Sequence, residues 1–260
     1  MHLCEAVVGA AASVWWAEAA VATITFAIAM RFFRALEPQK PARWWSPSSG
    51  TTWLRRSVSA LVAYWAFVAA WVRVVPPRAP AYSSGCPHNI HSLARLLVEL
   101  VSGVVAYDFA FFWLHLLMHR SPTVYRLLQH SRHHENHVGG RLDETALRTI
   151  NHSLVDGGLQ VLTNILVQRC VGPFGPRSTL ARLLHNVVVV GMLVESHTSA
   201  GAPRIARRLW CCDGVRKHHE HHRTAGAPFQ QFFGYLDAGL LALLPTAAVD
   251  ARRAAAGLTG

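Results

Sequence analysis

Three groups of histidines stand at spacings that suit metal coordination. His115 and His119 are four residues apart and therefore lie on one face of a helix. The other two groups share an i, i+3, i+4 spacing, which predicts one helical face for each: His130, His133 and His134, and then His218, His221 and His222. Because a structural zinc takes about four ligands and a catalytic zinc about three plus water, eight imidazoles predict two metals. A solvated basic loop or a histidine-rich metal buffer is the alternative, but buffers are irregular tracts and these spacings are regular.

The remaining residue types narrow the choice of metal. Imidazole suits iron, zinc, copper or nickel, whereas calcium and magnesium need oxygen ligands and iron–sulfur clusters need cysteines. The five cysteines form no C-x-x-C pair: Cys4, Cys86, Cys170, Cys211 and Cys212. We therefore expect neither a disulfide scaffold nor a thiolate zinc site, and we expect reduced thiols, mostly on the cytosolic side.

The composition favours a membrane protein. The 260 residues are 52% hydrophobic and only 15% charged. The net charge of +11 arises from 25 Lys and Arg against 14 Asp and Glu. These basic residues flank apolar runs and form no single stripe, so anionic lipid headgroups are the expected counter-charge and nucleic acid is not expected as a partner.

Apolar runs predict the helices that carry the histidines. Three runs are long enough to cross a bilayer, at 7–30, 58–75 and 96–117. Two shorter runs, 154–167 and 183–194, predict helices that dip into the membrane and return, or a thin hairpin. The run 226–244 predicts an interfacial or membrane-covering segment.

The charge asymmetry of the loops predicts the orientation. Six basic residues lie between positions 31 and 56, against two, Arg73 and Arg78, in the next loop. The positive-inside rule then places the first loop in the cytosol and the amino terminus and second loop in the lumen or outside. The span 96–117 ends on the cytosolic side with His115 and His119. Its buried charges, Glu99 and Asp108, each need an interior partner; Asp108 either orients a ligand or makes an interhelical hydrogen bond.

The segment DFAFFWLHLLMHRSPTVYRLLQHSRHHENH, residues 108–137, resembles the fatty acid hydroxylase superfamily, which includes sterol desaturases and C-4 methylsterol oxidases. The similarity continues through ESHTSAG at 195–201 and HHEHH at 218–222, ends at Asp237, and covers about half the chain, residues 105–240. The sequence departs from the family at Val124, where a leucine is usual, at Arg120, where an arginine is displaced, and at FQQFFG, which replaces Asn-Tyr-Gly. These departures leave the substrate type open.

The resemblance implies a set of ligand positions and an architecture. The implied di-iron ligands are His115, His119, His130, His133, His134, His197, His218, His221 and His222. His152 is a secondary candidate, His137 and His219 are expected to support ligands or face solvent, and ordinary roles are expected for His2, His88, His91 and His185. The implied fold is an all-α integral membrane bundle of about four transmembrane helices with a cytosolic histidine-rich di-iron cap. The expected division is 1–95 for membrane helices and loops, 96–245 for the hydroxylase-like domain and 246–260 for a tail.

The implied activity is O₂-dependent hydroxylation, or desaturation, of a sterol or other lipid. Protein side chains cannot activate O₂, so a redox metal is required, here two iron ions. Because the sequence carries no flavin, nicotinamide or haem signature, electrons are expected from outside the chain, and the resemblance implies cytochrome b5 or an NAD(P)H-dependent reductase as the donor. The expected location is the endoplasmic reticulum, for a eukaryotic source, with the histidines facing the cytosol. The alternatives are a histidine-rich metal transporter, which would need ligands in the middle of several spans, and a family member without activity.

Overall fold

Helices are the only regular elements among the residues that the computed structural model describes, in agreement with the predicted all-α class. Those residues are 2–13, 16–36, 61–62, 64–71, 73–74, 86–134, 149, 151–170, 172, 177–197, 217–218, 221–222 and 226–243. The helices are α1 (His2–Ser13), α2 (Ala17–Leu36), α3 (Ile90–Arg120), α4 (Pro122–Leu128), α5 (Ser131–His134), α6 (Leu154–Cys170), α7 (Thr179–Glu195) and α8 (Tyr235–Leu243). Residues 61–62, 64–71 and 73–74, within the predicted second span, are also helical.

Helix α3 is the central element and contains the predicted span 96–117. It begins at a capping box in which the Asn89 side chain accepts from the Ser92 backbone and the Ser92 hydroxyl accepts from the Asn89 backbone. Its 31 residues extend about 46 Å. Within the described part of the chain, α3 is the one helix long and apolar enough to cross a membrane. Its exposed surface carries apolar side chains at every fourth position: Leu97, Val101, Val105, Phe109, Trp113 and Leu117.

The helices form a bundle with two chemically different ends. Helix α7 packs against α2 and α3, and α3 also packs against α6. At the end remote from the histidine groups, Glu18 on α2 accepts from Arg182 on α7 at 2.8 Å. Nearby, the buried Glu99 carboxylate accepts from the Ser178 hydroxyl at 2.7 Å and the Ser178 backbone at 3.0 Å. The prediction that Glu99 has an interior partner is therefore confirmed.

Helices α6 and α7 are longer than the apolar runs at 154–167 and 183–194. Each has 17 residues and is therefore about 26 Å long. Helix α7 begins after Ser178, whose side chain accepts from the Ala181 backbone as an N-cap. It continues through Arg182 because that charge is paired with Glu18. A charged residue interrupts an apolar run in the sequence, but it does not interrupt a helix when its charge is paired.

The predicted first span, 7–30, is wrong as a single helix. The chain instead forms α1 and α2, and a new turn begins where the Ala20 N–H donates to the Trp16 carbonyl at 2.8 Å. Both helices are apolar, so composition could not reveal the boundary between them. Helix α2 is fixed by tertiary packing of Ala29 and Met30 against Val194 of α7.

The expectation that the cysteines are reduced is also wrong for one pair. Cys4 of α1 and Cys86, which precedes α3, form a disulfide across 82 positions of sequence. No short cysteine motif signals this pair, because the fold alone brings α1 beside the start of α3. The disulfide lies at the beginning of α3, and the histidine groups lie at its end.

Candidate metal centre

Nine histidines are gathered at the carboxyl ends of α3 and α7 in two groups. Group A consists of His115, His119, His130, His134 and His221; group B consists of His133, His197, His218 and His222. Within each group, one ring nitrogen from every member lies within 4.8 Å of the others. All nine residues implied by the family resemblance fall in these groups. Both groups are buried, apart from the half-buried His119.

Two sets of three histidines have the i, i+3, i+4 spacing, and we call them the box at 130 and the box at 218. Each box was predicted to present one helical face, but its histidines are divided between groups A and B. On a helix, residues i+3 and i+4 lie about 100° apart, on either side of residue i. The box at 130 gives its first and last histidines to group A and His133 to group B. The box at 218 does the reverse and gives only His221 to group A. The two boxes therefore interlock, and each contributes to both groups.

The distances between ring nitrogens fit a metal ion. In group B, the Nε2 of His197 lies 3.2 Å from that of His133 and 3.2 Å from that of His218. In group A, the Nε2 atoms of His130 and His134 are 3.3 Å apart. With metal–nitrogen bonds of about 2.0–2.1 Å, nitrogens on one ion are separated by about 2.9 Å at a right angle and about 3.4 Å at a tetrahedral angle. These three pairs thus have the spacing of neighbouring nitrogens on a single ion.

Hydrogen bonds at Nδ1 explain why Nε2 is the atom that points inward. An acceptor at Nδ1 fixes the proton there, which leaves the Nε2 lone pair for a metal. Four rings have such an acceptor: His115 at the Phe229 carbonyl (2.8 Å), His221 at the Gly226 carbonyl (2.6 Å), His197 at the Leu193 carbonyl (2.7 Å) and His130 at the Asp156 carboxylate (2.8 Å). The buried Nε2 of His115 then has no hydrogen-bond partner among the described residues. Its lone pair is therefore available to bind a metal.

A buried segment, Phe229–Phe232, supports His115 from outside the helix; we call it the strap. Two carboxylates hold it. Asp108 accepts from the Gln230 side chain and from the Phe232 backbone at 2.8 Å. Asp237 accepts from the backbones of Phe229 and Gln230, both at 2.8 Å. Asp108 therefore has the interior partner that was predicted, and its connection to His115 runs through the strap. The strap is part of the segment 226–244, which was predicted to be interfacial or membrane-covering; the structure buries Phe229 and Phe232 against α3.

Asp156, which is fully buried at the start of α6, was not among the residues predicted from the sequence. The sequence feature that could have indicated a role for Asp156 is an acidic residue in the first turn of an apolar helix, four positions after His152. His152, the secondary ligand candidate, lies outside both groups and stacks on His133, with ring centroids 3.9 Å apart.

The other histidines have separate environments. His185 is buried outside both groups, with its Nε2 2.8 Å from the Asn164 side-chain oxygen, and thus has the expected core role. His88 lies 3.6 Å from Glu5 at the surface, and His91 is exposed. The side chain of His2, and all of His137 and His219, lie outside the residues that the structure describes.

Burial favours the neutral form of three group B imidazoles. Desolvation, followed by repulsion from neighbouring imidazoles, lowers the pKa of His133, His218 and His222 well below the usual 6.5. Neutral rings are the form that coordinates a metal. Imidazole ligands bring no negative charge, so each metal would keep its full positive charge for chemistry on a bound molecule.

Comparison with known proteins gives an independent view of this region. The family model described as fatty acid hydroxylase matches residues 100–240, which is more than half of the chain and contains both histidine groups. Cholesterol 25-hydroxylase from Homo sapiens is 30% identical over 170 residues. That match covers 64% of this chain and 58% of the relative, so the chain spans less than two thirds of the relative's length. No solved structure matches the chain.

Proposed function

Because the chain belongs to the fatty acid hydroxylase family, we propose that it is a membrane-bound di-iron oxidoreductase that hydroxylates a sterol or another lipid with O₂. The observation that carries the proposal is the convergence of nine largely buried imidazoles into two groups with metal-like nitrogen spacing. The family and the relative together support a lipid hydroxylase at the coarser level.

The residues fit iron by ligand type and by position. His115, His119, His130, His134 and His221 would hold one ion, and His133, His197, His218 and His222 the other. Bound iron would supply the reductive activation of O₂ that side chains cannot. The protein's own contribution is to hold the nine rings in place, with Nδ1 anchored where the acceptors allow, and to keep His133, His218 and His222 neutral by burial.

Exclusion of water is the second contribution of the chain. Phe229 and Phe111 contact the ring of His115, with centroids 6.1 and 5.3 Å away, and both aromatic side chains are buried. An apolar wall beside the metal groups favours an apolar substrate and limits side reactions with water. The sterol named for the relative, cholesterol, is of this chemical type.

Membrane attachment is proposed from α3 and from the polarity of the bundle. Helix α3 has the length and hydropathy to span a bilayer, and its apolar residues at every fourth position are solvent-exposed in the isolated chain. The Cys4–Cys86 disulfide before α3 supports a lumenal or external position for that end, because disulfides persist in oxidising compartments. If α3 spans, the metal groups at its other end face the cytosol, as expected in the endoplasmic reticulum. About four spans and the divisions 1–95, 96–245 and 246–260 remain part of this proposal.

Electrons would come from cytochrome b5 or an NAD(P)H-dependent reductase on the cytosolic side. We prefer hydroxylation to desaturation because the family model is described as fatty acid hydroxylase and the relative is named as a hydroxylase. Metal transport is disfavoured because the two groups lie at helix ends, whereas a transport path needs ligands along the middle of several spans.

The experiment is isotope incorporation. The purified protein, supplied with NAD(P)H, a reductase and cytochrome b5, is incubated under ¹⁸O₂ with cholesterol or with a fatty acyl lipid, and products are analysed by mass spectrometry. We expect one ¹⁸O atom in a hydroxylated product and no product from the His197→Ala variant. A product that has lost two hydrogens and carries no ¹⁸O would show that the reaction is desaturation and not hydroxylation. No turnover of either substrate class by an iron-loaded protein would contradict the proposed activity.

A further inference from the structure

Asp156 contacts side chains that lead to both metal groups. One carboxylate oxygen, Oδ2, lies 2.8 Å from the Nδ1 of His130 and 3.2 Å from the Nδ1 of His152. The other oxygen, Oδ1, accepts from the side-chain amide of Gln160 at 3.1 Å. The same amide nitrogen is 3.2 Å from the Nδ1 of His152. Oδ1 therefore accepts one of the two amide hydrogens, and Oδ2 is the oxygen that faces the two rings.

His152 carries this contact to the second group. Its ring lies almost parallel to the ring of His133, with centroids 3.9 Å apart and planes 16° apart. His133 differs from His130 in one respect: no residue in the described part of the chain forms a hydrogen bond with its buried Nδ1. The orientation of His133 therefore depends on the rings packed against it, and His152 is the closest of these.

We propose that Asp156 is a positioning residue shared by the two metal sites. It fixes His130 of group A directly and His133 of group B through the stacked ring of His152. The proposal rests on the proposed metal centre. A carboxylate on Nδ1 fixes the ring orientation and tautomer and raises the basicity of Nε2, and loss of such a partner typically weakens metal binding about 10- to 100-fold. A change at one residue should therefore alter both sites.

A structural role alone predicts a different result. A buried carboxylate needs partners in any fold, so removal of Asp156 could lower stability and leave metal coordination unchanged. Glu99 provides the matched control. It is a buried carboxylate on α3, held by Ser178 and Arg95 at the end remote from the histidines. The Glu99→Gln variant should lower the thermal midpoint and retain the wild-type iron spectrum.

The test measures iron affinity and the Mössbauer spectrum of anaerobically purified, ⁵⁷Fe-loaded full-length protein. In Asp156→Ala, we expect altered signals for both irons and an affinity about 10- to 100-fold lower. Asp156→Asn keeps an acceptor for His130 and should retain both irons with a smaller change. His152→Ala should alter only the iron of group B, whereas His152→Phe keeps a ring for stacking, loses the contact with Asp156 and should alter the group B iron less than His152→Ala. Because His152 is the link, the group B effects of Asp156→Ala and His152→Ala should not add in the double variant.

Several outcomes would overturn the proposal. If Asp156→Ala melts earlier but has the wild-type spectrum and iron affinity, Asp156 is structural. If only one iron signal changes, the residue is not shared. If Asp156→Ala does not accumulate, identical spectra for His152→Ala and His152→Phe would exclude the stacking route. A wild-type protein that binds no iron would instead overturn the proposed function itself, which separates the two failures.

Discussion

The Nδ1 of His115 lies 2.8 Å from the carbonyl oxygen of Phe229, a residue 114 positions later in the chain. The carbonyl is available because the strap is not helical, whereas carbonyls inside α3 are used by its own hydrogen bonds. The strap in turn depends on Asp108, two turns before His115 on α3. Helix α3 thus carries both His115 and Asp108, and Asp108 holds the strap whose carbonyl contacts His115.

Replacement of Asp108 by alanine should therefore weaken metal binding without touching a ligand. The change removes two hydrogen bonds to the strap and leaves buried donors on Gln230 and Phe232, which costs about 1–3 kcal/mol each. We expect reduced iron content and a lower thermal midpoint. Asp108→Asn should recover only part of the effect, because its amide end cannot accept from the second donor. An Asp108→Ala protein with full iron content would show that the strap does not anchor His115.

Two buried histidines should respond differently to the same substitution. His218 belongs to group B, and His185 is equally buried but lies outside both groups. We expect His218→Ala to lower turnover by more than about 100-fold, beyond the usual effect of a supporting residue. His185→Ala creates a comparable cavity and should affect mainly stability. The measurement is turnover per folded protein, with abundance checked in membranes. Equal loss in both variants would assign the effect of His218 to packing.

The metal-free protein should lose stability as the pH falls below about 6.5, the pKa of an unfolded histidine. Burial lowers the pKa of His133, His218 and His222, so the unfolded state binds protons that the folded state does not. The free energy of unfolding then rises with pH up to about 6.5 and levels off above it. Three such groups contribute up to about 4 kcal/mol per pH unit.

Thermal midpoints of the metal-free protein between pH 5.5 and 8 check this prediction. The His222→Asn variant removes one of the three groups and should give a shallower slope. A midpoint that is constant, or that rises on acidification, would show that these imidazoles are not held neutral.

Opposite ends of α3 should lie on opposite sides of the membrane. The test uses Cys170, Cys211 and Cys212 replaced by serine, and sealed vesicles with the cytosolic face outward. A cysteine at the exposed position Arg126 should react with an impermeant maleimide. In a variant with Cys4 and Cys86 both replaced by serine, a cysteine at the exposed position His88 should react only after permeabilisation. Labelling at position 88 in sealed vesicles would contradict the proposed orientation.

The sequence predicted the local features of the centre better than its connections. The spacing of His115 and His119 indicated a shared face, since a helix fixes neighbours at i and i+4. The partition of His133 and His134 into different groups depends on how α5 packs against His221 and His222, and spacing alone could not predict that packing. Asp156 and the carbonyl of Phe229 were missed because their roles depend on contacts across 26 and 114 positions.

Charge pairs and the disulfide were hidden for the same reason. Arg182 looked like the end of an apolar run because its partner, Glu18, is 164 positions away. The Cys4–Cys86 bridge spans 82 positions and has no local signature. By contrast, the capping box at Asn89 and the N-cap at Ser178 are local and could be found from sequence.

The most direct test of the account is metal content by group. The wild type and two variants, His119→Ala from group A and His197→Ala from group B, are expressed with iron, purified anaerobically and analysed for total metal and for nitrogen coordination by X-ray absorption. We predict about two irons per chain in the wild type, bound by imidazole nitrogen, and about one iron in each variant, because each group holds its own ion. A wild type with one metal, or variants that both retain two, would contradict a di-iron centre built from these nine histidines.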